Sequence, residues 1–224
     1  MMDPSIVIMI IVLLFSVVFH EVSHGMTALY LGDPTAKKMG RLTLNPISHI
    51  DPMMTVMLPL MLWMFTGMAF GGAKPVPVNP FNFKNPKRDM AITAAAGPLS
   101  NLLLIILSII LYKILVAVGA LSQMENFYRI NAGELNFVEN FFFYAVLINT
   151  ILMIFNLFPI PPLDGSKILM GFLTNEQADK YESMSRYGIA ILIGLLLLGN
   201  VFKFSIFATI INPVLHFFLE ILFI

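Results

Sequence analysis

The stretch Ile6-Val7-Ile8-Met9-Ile10-Ile11-Val12-Leu13-Leu14-Phe15-Ser16-Val17-Val18-Phe19-His20-Glu21-Val22-Ser23-His24 decides what kind of protein this chain is. From Ile6 to Phe19 it carries scarcely a polar group, and the apolar segment as a whole runs from about Ser5 to Leu31. About 20 such residues span a bilayer as a helix. Gly32-Asp33-Pro34 then supplies a strong helix stop. Inside this run sit three ionisable side chains within five residues. At about 1.5 Å per residue from Ser5, His20 lies about 22 Å along a helix of about 40 Å, within the hydrocarbon or near its edge. An uncompensated ionisable group there costs at least a few kcal/mol, so His20, Glu21 and His24 need something to bind.

Composition agrees with a membrane setting. The 224 residues are 58% hydrophobic and 12% charged, about half the charge of a soluble domain. A formal net charge of zero gives no case for nucleic-acid binding. Cysteine is absent, so a borderline metal has only His and carboxylate ligands to use. An acidic Asp3 before the first apolar segment, and the length of that segment, predict an uncleaved membrane helix rather than a signal peptide.

Outward from the first segment, a polar stretch carries Lys37, Lys38 and Arg41. A shorter apolar run covers Met53 to Phe70, interrupted by Pro59 and Gly67. At about 18 residues it barely spans; basic residues flank it on both sides, which predicts a re-entrant or hairpin element. Gly71 to Pro80 holds three prolines and predicts an extended or hairpin loop. Helices are expected over Asp89–Val118 and Phe137–Phe158, the latter broken by Pro159-Ile160-Pro161-Pro162-Leu163-Asp164-Gly165. A short amphipathic piece is expected over Ser166–Leu173, and a membrane hairpin over Gly188–Val201 and Ser205–Leu222. The expected fold is an all-α, polytopic helical bundle of about five spanning helices plus the re-entrant element and the Pro/Gly-rich loop, as one membrane-embedded domain over residues 1–224.

His20-Glu21-Val22-Ser23-His24 is the H-E-x-x-H pattern. Residues four apart on a helix share a face, so His20 and His24 can present ring nitrogens to one Zn²⁺, with Glu21 beside them as a base. The bland reading is a pair of interhelical hydrogen-bonding histidines with Glu21 as their partner. Two histidines need a third protein ligand to leave one open position. Asp164 follows a proline-broken helix, and irregular backbone at membrane depth is tolerated where it lines a site; it ranks ahead of His49 in the loop Asn45–Pro52. His49 and His216 also read simply as interfacial hydrogen bonding and packing.

These elements together with Ala96-Gly97-Pro98-Leu99-Ser100-Asn101 and Asn156-Leu157-Phe158-Pro159-Ile160-Pro161-Pro162-Leu163-Asp164-Gly165 resemble the site-2 protease family of intramembrane zinc metalloproteases. Their order and spacing match, from about Val12 to Leu173. The resemblance implies one Zn²⁺ per chain bound by His20, His24 and Asp164, with Glu21 as general base. It makes Asn101 and Asn156 candidates for substrate or oxyanion contacts, against a plain reading as interhelical hydrogen bonds. The likeness is to a short prokaryotic form without PDZ-like or CBS-like domains, in which the H-E-x-x-H helix comes first.

Both ligand-bearing helices carry their ligands towards their C-terminal ends, so they are expected to run in parallel, with Asp89–Val118 running the other way. Of the 13 Lys and Arg, ten then fall on the ligand side (Lys37, Lys38, Arg41, Lys74, Lys84, Lys87, Arg88, Lys167, Lys180 and Arg186). Lys113, Arg129 and Lys203 fall opposite. The positive-inside rule places the active site towards the cytoplasm of a plasma-membrane, multi-pass protein. The expected partners are the bilayer and a transmembrane protein substrate, cut in or near its membrane segment; Gly71–Pro80 offers an edge on which an extended substrate could pair. The rival readings are a metal-ion transporter or channel using the same His, Glu and Asp cluster, and another membrane zinc hydrolase such as a prenyl-protein peptidase. No feature of the sequence sets the oligomeric state.

Overall fold

A computed structural model describes residues 4–57, 73–121, 135–201 and 206–223. Every regular element among the described residues is helical. Helix α1 spans Pro4–Tyr30, opened by a proline whose missing N–H costs nothing in a first turn. It closes in a Schellman motif: Gly32 takes φ 111°, its N–H donates to Leu29 O, and the Asp33 N–H donates to Ala28 O. This left-handed step is why glycine stands there. The one-turn helix α2, Thr35–Lys38, follows. Short turns cover Pro46–His49 and Pro52–Met57. Of the element predicted over Met53–Phe70 only the residues to Met57 fall in the described part; the remainder lies outside the described residues.

Residues 73–79 form no helix and lead into a turn at Pro80–Asn82. Helix α3 spans Pro86–Ala117, opened by a proline and carrying Pro98 inside. Helix α4, Phe137–Asn156, starts at a reciprocal cap between Asn136 and Glu139. Helices α5 (Asp164–Phe172), α6 (Asn175–Ser183), α7 (Gly188–Val201) and α8 (Ile206–Phe223) complete the chain.

Among the described residues, five segments are long and apolar enough to cross a membrane: Pro4–Tyr30, Pro86–Ala117, Phe137–Asn156, Asn175–Gly199 and Ile206–Phe223. This is a polytopic helical membrane protein. The fourth differs from the sequence reading. Gly188–Val201 has 14 residues, about 21 Å of helix, and reaches spanning length only with the more polar α6 ahead of it.

Side-chain contacts fix the helix directions. Ile8 and Val12 of α1 pack with Ala145 and Ile148 of α4, and further along both helices Asn149 donates to Ser16; α1 and α4 run in parallel. Asn101 of α3 reaches Asn149, while Tyr112 meets the Phe142 ring at 5.4 Å; α3 runs against α4. Helix α8 does the same, with Phe207 against Phe155 and Phe158 and Phe223 against Tyr112. The core lies between α3, α4 and α8, around Ile105, Tyr112, Phe142, Val146 and Leu222. The opposite faces expose Ile6, Ile10, Leu103, Leu107 and Leu111, as surfaces solvated by lipid tails do.

Candidate metal centre

On α1 the one-turn spacing puts His20 and His24 side by side, ring centroids 4.7 Å apart and edge to face. Asp164 comes from the far end of the sequence. Helix α4 stops at Asn156, because Pro159, Pro161 and Pro162 have no N–H to continue it. The chain then folds back tightly. Gly165 lies against the carbonyls of Leu157 and Phe158, where any side chain would collide. Leu163 is wedged among Leu192, Phe207 and Ile211, and Asp164 follows as the first residue of α5.

The result is a compact donor set. Asp164 Oδ2 lies 3.0 Å from His20 Nε2 and 3.1 Å from His24 Nε2. All three side chains are buried, and their donor atoms lie within 4.8 Å of one another. A tetrahedral zinc ion with bonds of about 2.0–2.2 Å would set neighbouring donors about 3.3–3.5 Å apart, close to the two distances Asp164 already keeps to the histidines. Two imidazoles and one carboxylate are donors zinc accepts. Gly97 of α3 faces the same point. A Cβ there would stand 2.5 Å from His20 Nε2 and would crowd His24 Nε2 as well, so glycine keeps the space before both nitrogens clear.

Both rings are held from behind. His24 Nδ1 donates to the backbone carbonyl of Thr93 at 2.7 Å. That carbonyl can only accept, so Nδ1 carries a proton and Nε2 is the nitrogen left for a metal. Pro98, one turn further along α3, has no N–H to give the carbonyl of Ala94. His20 Nδ1 lies 2.6 Å from Asn101 Oδ1.

Glu21 is half-buried and lies outside the trio. Its Oε2 accepts the N–H of Val76 at 2.8 Å. Residues 73–79 thus lie across α1, close enough that a side chain on Gly25 would strike Val76 and Leu42. The Lys74 N–H goes to His49 O and the Asn79 N–H to Asp33. Pro75 and Pro77 have none to give. The segment read as an edge for substrate therefore spends these donors on its own protein, and its prolines blunt the other edge.

The remaining candidates are placed plainly. Asn101 is fully buried, with Oδ1 on His20 and Nδ2 donating to Asn149 Oδ1 at 2.8 Å. Of the two readings of Asn101, the structure displays the interhelical hydrogen bond, to Asn149, with the amide beside His20 Nδ1. Asn156 is half-buried in the last turn of α4, its Nδ2 donating to Leu152 O at 3.0 Å. His49 is buried, but its Nε2 donates to Thr43 O, which makes it a brace of the loop rather than a member of the trio. His216 is exposed on α8. Ser16, Thr93, Asn149 and Val76 were missed by the sequence reading. Only Ser16 and Asn149 left a signal, as polar residues inside apolar runs.

A family model described as peptidase family M50 matches residues 8–198. The chain belongs to that family. The M50 assignment agrees with the site-2 protease resemblance of its motifs and makes the chain a metalloprotease. Among curated proteins it is 35% identical over 185 residues to "Putative zinc metalloprotease YwhC" of Bacillus subtilis, covering 83% of this chain and 78% of that one. It is 30% identical over 185 residues to "Putative zinc metalloprotease Rip2" of Mycolicibacterium smegmatis, covering 82% of this chain and 64% of that one. The Rip2 of Mycobacterium tuberculosis strain H37Rv gives 30% over 184 residues, with 82% and 64% covered. The chain thus spans somewhat less than two thirds of the Rip2 relatives. No solved structure matches it. With an M50 peptidase established, the buried trio is the one group of His and acidic residues, among those described, able to hold a metal ion.

Proposed function

We propose that this M50 chain cuts peptide bonds in or near transmembrane segments of membrane proteins, at a single zinc ion bound by His20, His24 and Asp164, with the site open towards the cytoplasm. The convergence of those three donors inside a bundle of apolar helices carries the reading. Zinc, when bound, acts as a Lewis acid on the scissile carbonyl and brings the pKa of a water towards ~7. The chain's own residues do the rest. Glu21, one residue from His20, accepts the proton of the attacking water and returns it to the leaving amine. The Val76 N–H holds that carboxylate by one oxygen and leaves the other for the proton. Asn156, beside the turn that delivers Asp164, is assigned a contact to the unwound substrate backbone through its amide oxygen, since its Nδ2 donates to Leu152 O. The excess of Lys and Arg on the side of the trio supports the cytoplasmic orientation.

The test is Glu21→Gln, with Asp164→Ala as its companion. Glu21→Gln should retain zinc by elemental analysis while uncut membrane proteins accumulate. Asp164→Ala should lose zinc and activity together. Cleavage that survives Glu21→Gln would sink the assignment of the base and favour an ion path. For orientation, the chain has no cysteine, so Lys38→Cys and Lys84→Cys each give one reactive site. Both should resist an impermeant thiol reagent in intact cells; labelling from outside at Lys38→Cys would invert the topology.

A further inference from the structure

Behind His20 a chain of amides crosses three helices. Asn101 Oδ1 lies 2.6 Å from His20 Nδ1. Asn101 Nδ2 donates to Asn149 Oδ1 at 2.8 Å. Asn149 Nδ2 donates to Ser16 Oγ at 2.9 Å and to the carbonyl of Ala145 at 2.8 Å. Asn101, Asn149 and Ser16 are all buried, each 2% exposed or less. The two ends of an amide look alike by shape, and only their partners orient them. Here the partners leave one solution. The Ala145 carbonyl can only accept, so Asn149 must turn its NH₂ towards it. That leaves Asn149 Oδ1 facing Asn101, which must offer its own NH₂. Asn101 Oδ1 then faces His20, and an acceptor beside Nδ1 requires the proton to be on Nδ1. Nε2, the nitrogen aimed at Asp164, is then the one left to give a lone pair to a metal.

We propose that Asn149 is a positioning residue of the metal centre, fixing the tautomer of His20 through Asn101 by carrying the polarity of a backbone carbonyl in α4 across to α1. The inference rests on the reading of His20 as a metal ligand. Without Asn149 as acceptor, the Asn101 amide gains by turning over. Its NH₂ then finds the bare Nδ1, the proton moves to Nε2, and Nε2 donates to Asp164. That arrangement pairs both ring nitrogens, leaves only the outward end of the Asn101 amide without a partner, as either orientation would, and has no lone pair for a metal. Binding must reverse it. His24 is exempt, because its Nδ1 is held by Thr93 O without an intermediary.

The test uses full-length, zinc-free protein with ¹⁵N-labelled histidine in lipid nanodiscs. Protonated and bare ring nitrogens resonate far apart, and the chain has four histidines, assigned by single His→Ala variants. In the wild type both His20 and His24 should carry a proton on Nδ1; a bare Nδ1 on His20 would overturn the proposal with no variant needed. In Asn149→Leu the His20 signals should exchange to the Nε2–H form while those of His24 stay, and zinc affinity should fall about 10- to 100-fold, the usual effect of losing an outer-shell partner. Asn149→Asp, which still offers Asn101 an acceptor, should restore both. An unchanged His20 tautomer in Asn149→Leu refutes the role of Asn149 and leaves the metal site standing. Unchanged zinc affinity in His20→Ala refutes the metal site itself.

Discussion

Adding one methyl group at Gly97 should strike the metal centre harder than removing a hydrogen bond. The new Cβ would stand 2.5 Å from His20 Nε2, against a comfortable contact of about 3.5 Å, so about 1 Å must be found. The rings cannot retreat freely: His20 is backed by Asn101 at 2.6 Å and His24 by Thr93 O at 2.7 Å. Lifting α3 instead would disturb its packing on α1. Overpacking of this kind costs about 1–3 kcal/mol, and breaking one backing hydrogen bond adds about 1 kcal/mol. In zinc-free Gly97→Ala protein the strain is relieved by swinging the rings aside. Binding must bring them back, so the cost appears in affinity. Some 2–4 kcal/mol corresponds to roughly 30- to 700-fold weaker zinc binding. Competition with a chelator of known affinity on detergent-purified protein measures it directly. Gly194→Ala is the control, since a Cβ there meets nothing within 4 Å. Wild-type zinc affinity in Gly97→Ala would refute the placement of α3 over the ligand nitrogens.

Two further outcomes follow from the loop that crosses α1. Val76→Pro, between prolines already present, deletes the N–H given to Glu21; a bond to a charged group is worth about 1.5–3 kcal/mol, so cleavage in a reconstituted assay should fall roughly ten- to a hundredfold with zinc content unchanged, and unaltered cleavage would remove Val76 from the machinery. Asp33 accepts hydrogen bonds from Thr35, Asn79 and Asn82; burial pushes its carboxyl up, but those bonds outweigh it and hold it below the usual carboxylate range. The stabilisation is therefore present above the unfolded value of about 3.9 and is lost as pH falls through the lower folded value. Melting temperatures of Asp33→Asn and wild type should differ at neutral pH and converge in strong acid; a constant gap would refute the account.

Much of this was legible in the sequence, for reasons that vary from residue to residue. His20 and His24 lie one helical turn apart, so local periodicity alone pairs them. Asp164 was within reach because a proline-rich break at membrane depth demands a reason. The edges of α1 and α4 fell close to their Gly, Pro and Asn signals. Asn101 was placed on the right helix with two readings left open, because the choice depends on the rotation of α3 about its axis, which sequence spacing does not set. Asn149 and Ser16 stood in plain view as polar residues in apolar runs, yet their meaning needed three helices brought together. Val76 acts through its backbone N–H, a group every residue but proline carries, so its identity held no clue. The marginal length of Gly188–Val201 concealed that α6 extends it.

The 144 positions between His20 and Asp164 also set a clock. A ribosome adding about 5–20 residues per second needs roughly 7–30 s to travel from one to the other. For that interval the histidines of α1 exist in the nascent membrane protein without the carboxylate that completes their set, and α3 and α4 must already be inserted before it can arrive. On the proposed ligand set, a half-made molecule has no complete site with which to cut its neighbours during insertion. The same ordering makes the α4–α5 turn the step that completes the donor set, so a truncation just after Asn156 should yield an inserted protein that neither holds zinc nor cuts.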